Sequence, residues 1–123
     1  MRALVIDDSR TMRKILGRIL QPMGFEIAEA GDGREGFERL QQAGNIDIVL
    51  VDWNMPEMDG LAFVRAVRAD STYEAVRLMM VTTESDLSRV AAALEAGADE
   101  YVMKPFTEAV IREKLVLLGL TPR

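Results

Sequence analysis

Apolar positions along the chain follow two spacings that alternate. Residues 3–6, Ala-Leu-Val-Ile, form an uninterrupted apolar run that stops on Asp7-Asp8. A short run of this kind predicts a strand buried on both faces. Over 10–21 the spacing changes: Met12, Ile15, Leu16, Ile19 and Leu20 recur at helical intervals, and Pro22 and Gly24 close the segment. The alternation then repeats. Strands are predicted at 25–30, 46–51, 78–81 and 101–103. Helices are predicted at 33–43, 61–68, 85–96 and 107–118. Asp32, with Glu35 three places on, caps the helix at 33–43, and Gly97 ends the one at 85–96. Five β–α repeats predict an α/β fold: a parallel sheet covered by helices on both faces, with right-handed crossovers. No linker, repeat or low-complexity tract interrupts the pattern, so residues 1–123 read as one domain.

The polar residues of interest stand where the apolar runs end. They are Asp7 and Asp8, Asp52, Thr82 and Lys104. In open α/β sheets ligands gather beyond the carboxyl ends of the strands. Three aspartates at one place repel each other, and stay ionised together only beside positive charge. Oxygen-only ligands select a hard cation, Mg²⁺ or Mn²⁺, and Lys104 adds a second positive charge. Taken singly, each has a plainer explanation. Asp8 reads as a helix cap, Thr82 as a β-branched strand residue and Lys104 as a solvated charge. Asp7, Asp52, Thr82 and Lys104 together, on four strands, are not explained by capping.

Composition narrows the chemistry. The chain has 123 residues, 49% hydrophobic, enough for one real core. No apolar run nears the ~18 residues of a membrane span, and Met1-Arg2 leads directly into the first strand without a signal peptide. Cysteine is absent, which removes disulfides and thiolate chemistry and is compatible with a cytoplasmic protein. Histidine is absent too, so this chain forms no phosphohistidine and no histidine-ligated zinc site. A net charge of −5 argues against a nucleic-acid surface.

Four segments carry a family resemblance: VIDDS at 5–9, LVDWNMPEMDG at 50–60, VTTE at 81–84 and YVMKPF at 101–106. In residue type and spacing the chain resembles the receiver domains of two-component response regulators, in particular the single-domain chemotaxis type. The resemblance implies a flavodoxin-like doubly wound sheet in the order 2-1-3-4-5. It implies that Asp52 accepts a phosphoryl group, and that Asp7, Asp8, Asp52 and the backbone carbonyl of Asn54 hold Mg²⁺. Lys104 would pair with a phosphoryl oxygen and the Thr82 hydroxyl would donate to another. A cis Lys104–Pro105 bond is also implied. The donor is then a partner histidine kinase or phosphotransfer protein, the output a downstream protein target, and the unphosphorylated form a monomer.

Tyr101 resembles the family's switching aromatic; without that context it is a half-buried strand tyrosine. Tyr101 and Met103 share one side of their strand, and with Leu87 and Val90 they are expected to form a partner-binding face. Leu87 and Val90 taken alone read as core. Asp86 and Leu87 stand where flagellar regulators of this type carry lysines. Asn54 and Glu84 flank the phosphoryl approach, and polar groups there predict a short-lived phosphoform.

Rival readings rest on weaker matches. Gly31-Asp32-Gly33-Arg34-Glu35-Gly36 fits the dinucleotide pattern G-x-G-x-x-G, and Asp52 lies about where a ribose-binding acid belongs. However, Asp32 and Glu35 put negative charge where pyrophosphate would sit, and the motif follows the second strand rather than the first. A calcium loop starting at Asp52 lacks glycine at position six, which is Glu57. A flavodoxin needs a phosphate cradle where this chain has acidic DDSRT. A protein-binding module that works without phosphorylation would not need every motif residue in place.

Overall fold

The computed structural model describes residues 1–83 and 87–120, the side chain of Leu87 excepted. Strands β1 (Arg2–Ile6), β2 (Glu26–Ala30), β3 (Ile48–Val51), β4 (Arg77–Thr82) and β5 (Glu100–Met103) alternate with helices α1 (Arg10–Leu20), α2 (Gly33–Ala43), α3 (Gly60–Arg68), α4 (Leu87–Ala96) and α5 (Glu108–Leu117). All strand pairs are parallel, in the order β2-β1-β3-β4-β5. The chain steps outward from β1 to β2, then returns past β1 to β3. Helices therefore diverge on either side of β1 and β3, and a crevice opens at their carboxyl ends.

Strand alternation divides the core into two layers. Leu4, Ile6, Val49, Val51, Leu78 and Met80 face one side, packed with Leu40 of α2, Phe63, Val64 and Val67 of α3, and Ala93 of α4. Ala3, Val5, Ile48, Leu50, Met79, Val81 and Val102 face the other, packed with Leu16 and Leu20 of α1 and Ile111 and Leu115 of α5. Both faces of β1, β3 and β4 are covered, which is why their sequences run apolar without interruption. Each fully buried Leu, Ile, Val or Phe contributes roughly 1.5–3 kcal/mol.

The structure departs from the sequence expectations in particular places. Ile15, counted on the apolar face of α1, is 40% exposed, because Leu16 and Leu20 carry the packing. The third strand starts at Ile48 rather than 46, and the fourth extends to include Thr82. Short 3-10 turns at Gln21–Met23 and Ser71–Tyr73 follow α1 and α3; three residues carry no period to detect.

At the amino ends of the strands Arg68, the last residue of α3, ties four segments together. Its guanidinium donates to the carbonyls of Gly97 (2.9 Å), Tyr73 (3.0 Å) and Val76 (2.7 Å) and to Asp99 Oδ2 (2.9 Å). That same Asp99 oxygen accepts the N–H of Leu78 at 2.8 Å. The carboxyl-terminal end of α4 is thereby fixed to α3 and β4.

Candidate functional site

The strand ends at the crevice deliver the chemical groups: two aspartates after β1 and one residue each at the ends of β3, β4 and β5. At the end of β1 the Asp7 N–H donates to the Ala30 carbonyl (3.1 Å), keeping the chain strand-like through Asp7. The Asp7 carboxylate, 2% exposed, accepts the Ser9 N–H (2.8 Å) on Oδ1 and Lys104 Nζ (3.0 Å) on Oδ2. Ser9, not Asp8, caps α1, its Oγ accepting the Met12 N–H at 3.2 Å. The capping explanation of Asp8 is therefore corrected. Asp8 is exposed, and one of its oxygens lies in a group with one each from Asp7 and Asp52, all within 4.8 Å of one another.

Asp52 follows β3 and is 8% exposed. Its N–H donates to the Ile6 carbonyl at 2.9 Å, and its Oδ1 stands 3.6 Å from Lys104 Nζ. The loop behind it is tightly built. The Gly60 N–H donates to the Trp53 carbonyl (2.9 Å), and the Met58 N–H donates to the Pro56 carbonyl (2.7 Å) around Glu57, whose φ is +64°. Asp59 caps α3 through the Ala62 N–H at 2.8 Å. A Cβ on Gly60 would lie 2.4 Å from the Asp52 carbonyl oxygen and 2.8 Å from Met80 Cε. Glycine here lets the start of α3 press against the backbone of Asp52. Asn54 sits exposed on the same loop.

Lys104 arrives from β5, its N–H donating to the Thr82 carbonyl at 2.8 Å, and the Lys104–Pro105 bond is cis. Thr82 is buried at the end of β4, in register with Met103. One ammonium thus serves two of the three carboxylates, Asp7 and Asp52. The Asp52 carboxyl is pushed above the usual carboxylate range, first by burial. Lys104 and the Trp53 N–H oppose that shift, while Asp7 and Asp8 reinforce it. The deficit of positive charge and the all-oxygen donor set fit a small divalent cation.

The expected partner face divides in the structure. Tyr101 is half-buried and Met103 is 38% exposed. Val90 is half-buried and turned toward the sheet. With Trp53, Met80, Thr82, Arg89, Ala93 and Tyr101 it encloses a cavity of about 10 Å³. The Leu87 side chain, and Glu84 and Asp86, lie outside the described residues. Two contacts have no counterpart in the sequence reading. The Arg89 guanidinium carbon is 5.5 Å from the centroid of the Trp53 ring. Lys114 Nζ is 5.2 Å from that of Tyr101 and pairs with Glu100 at 3.0 Å. Nothing one-dimensional links these residues, which meet only through the sheet order.

The glycine motif at 31–36 is occupied by its own chain. Asp32 accepts the Glu35 N–H (2.8 Å), and Glu35 reaches back to the Gly31 N–H (3.1 Å). The Gly33 N–H donates to the Met58 carbonyl at 3.2 Å. None of the three glycines has positive φ; at Gly33 and Gly36 close packing, not backbone conformation, calls for glycine. A Cβ on Gly36 would lie 2.3 Å from Ile6 Cδ1, and one on Gly33 2.5 Å from the Met58 oxygen. Among the described residues, no helix is long and apolar enough to cross a membrane.

Comparison with known proteins agrees with this geometry. The chain is 45% identical over 121 residues to the chemotaxis protein CheY1 of Helicobacter pylori, covering 97% of this chain and 98% of that one. It is 44% identical over 116 residues to a CheY homolog of Campylobacter jejuni, covering 94% and 89%. Its fold superimposes on the structure of chemotaxis response regulator CheY4 of Vibrio cholerae with a TM-score of 0.88 at 34% identity, covering 95% of this chain and 97% of that one. Residues 3–116 match the family described as "Response regulator receiver domain", and the chain belongs to that family.

Proposed function

We propose that this receiver domain is a phosphorylation-activated switch of the chemotaxis type, which takes a phosphoryl group from a partner histidine kinase onto Asp52. One observation carries the reading: Asp7, Asp8 and Asp52 bring oxygens within 4.8 Å of one another, with Lys104 Nζ 3.0 Å from Asp7 and 3.6 Å from Asp52. Mg²⁺, or Mn²⁺ in its place, held by these carboxylates and the Asn54 carbonyl, would neutralise charge on the transferring group.

The remaining work belongs to the chain. Asp52 is the nucleophile. Its oxygen bonds to phosphorus as the P–N bond of the donor phosphohistidine breaks, and the electron pair returns to the imidazole nitrogen, which takes up a proton. Burial and the fixed loop hold the carboxylate in line, so little orientational entropy remains to be lost. Lys104 shifts from compensating carboxylates to pairing with a phosphoryl oxygen. The Thr82 hydroxyl donates to another, and its movement biases the Tyr101 side of the sheet toward a state that binds a downstream protein target. Asn54 orients water for the return hydrolysis, so the phosphoform is short-lived. The chemotaxis assignment follows from the relatives named above.

Incubation with Mg²⁺ and acetyl phosphate is expected to add about 80 Da, and fluoroberyllate with Mg²⁺ to change Trp53 fluorescence. Asp52→Asn abolishes both. An Asp52→Asn protein that still gains the mass would show that another residue is the acceptor.

A further inference from the structure

Among the described residues, helix α4 meets different contacts at its two ends. Behind its last turn, Arg68 donates to Gly97, Tyr73 and Val76 carbonyls and to Asp99, all charge-assisted contacts between 2.7 and 3.0 Å. Near its first turn, Arg89 lies over the indole of Trp53, guanidinium carbon to ring centroid 5.5 Å. Arg89 is exposed and Trp53 only half-buried, the setting in which a cation–π contact is weakest. Trp53 is also the residue after Asp52. The same two side chains help Thr82, Val90 and Tyr101 enclose the 10 Å³ cavity, which is at the lower limit of what holds one water. A shift of Thr82 or Tyr101 in so tight a space requires this wall to give.

We infer that Arg89 is a positioning residue: its stack on Trp53 is a latch that keeps α4 against the phosphoacceptor loop in the unphosphorylated state. Phosphorylation releases the latch, and α4 turns about the end fixed by Arg68. This inference rests on Asp52 being the acceptor. A ligand that favours the released state gains whatever the latch cost it, because a ligand shifts a two-state equilibrium only by its differential affinity. Loss of the stack therefore tightens binding of a phosphoryl mimic by roughly two- to fivefold, the range of an exposed cation–π contact.

The test titrates fluoroberyllate at saturating Mg²⁺ into the wild type, Arg89→Ala, Arg89→Met and Arg89→Lys, following Trp53 emission. A parallel measurement follows acrylamide quenching of Trp53 without any phosphoryl mimic. Arg89→Ala and Arg89→Met are expected to bind the mimic two- to fivefold more tightly, and Arg89→Lys, which keeps the cation, to stay near the wild type. Quenching should rise in Arg89→Ala, because one indole face opens to water. Unchanged quenching in Arg89→Ala overturns the stack itself, whatever the mimic does. A wild type that responds while Arg89→Ala binds equally overturns the latch alone. Weaker binding in Arg89→Ala also overturns it, since Arg89 would then assist the phosphoryl group directly. A wild type with no response to the mimic at all defeats the assignment of Asp52 and the latch with it.

Discussion

The two ends of the parallel sheet treat charge in opposite ways. At the amino end, Arg68 finds three carbonyls and Asp99 within 3.0 Å, so its one positive charge is matched and its donors are used. At the carboxyl end, three clustered carboxylates meet one ammonium that pairs with only Asp7 and Asp52, and Asp52 is pushed toward its protonated form by burial and by Asp7 and Asp8. The first arrangement holds the fold together. The second leaves an electrostatic deficit for something positive to fill. Stability and the proposed function thus rest on opposite ends of one sheet, and substitutions at each end should separate them.

The largest separation is expected from Arg68→Ala. Deleting this side chain leaves three part-buried carbonyls without these donors, at a cost of about 2–4 kcal/mol, enough to lower Tm by on the order of 10 °C. Fluoroberyllate should still change Trp53 fluorescence in the folded variant. A loss of response at a temperature where the variant is folded would show that the clamp reaches the site.

Gly60→Ala sharpens the comparison at the carboxyl end. The added methyl meets the Asp52 carbonyl oxygen and Met80, an overpacking expected to cost about 1–3 kcal/mol. Because it pushes on the backbone of Asp52, the proposed nucleophile, the acetyl phosphate rate should fall as well. Mass spectrometry over time, set beside thermal unfolding, measures both. A variant that loses stability while keeping the full rate would show that the loop is not what positions Asp52.

The smallest effect concerns pH. The folded-state pKa of Asp52 lies above the ordinary 3.8, so folding disfavours its charged form. Its contribution to stability is most favourable below the unfolded pKa and is lost as pH rises through the raised folded value. Without divalent ions, Asp52→Asn is therefore expected to raise Tm by a few degrees at neutral pH and by nothing at pH 3. Millimolar Mg²⁺ should stabilise the wild type and narrow the gap. A variant less stable than the wild type at pH 7 in chelator would contradict the charge deficit.

Much of this was legible in one dimension, for reasons specific to the residues concerned. A strand buried on both faces must be apolar throughout, so the runs before Asp7 and Asp52 marked β1 and β3, and the acids marked where burial stops. Helix α2 has its predicted bounds: Asp32, read as its cap, accepts the Glu35 N–H, and Gly44 in the left-handed conformation closes the other end. Ile15 misled because helical spacing counts apolar positions without knowing how wide the covered stripe is. Asp8 misled because its neighbour Ser9 competes for the same cap.

By itself, then, the sequence determined the β–α alternation, the two-sided burial of the sheet and the placing of acids, a threonine and a lysine at strand ends. Those are set by local period and by where apolar runs break. The resemblance supplied the strand order and the roles. Only the tertiary structure decided that Lys104 spans two carboxylates, that Arg68 fixes one end of α4, and that Arg89 meets Trp53 near the other. These contacts join residues far apart along the chain, and their distances follow from sheet register and helix packing, which no local pattern encodes.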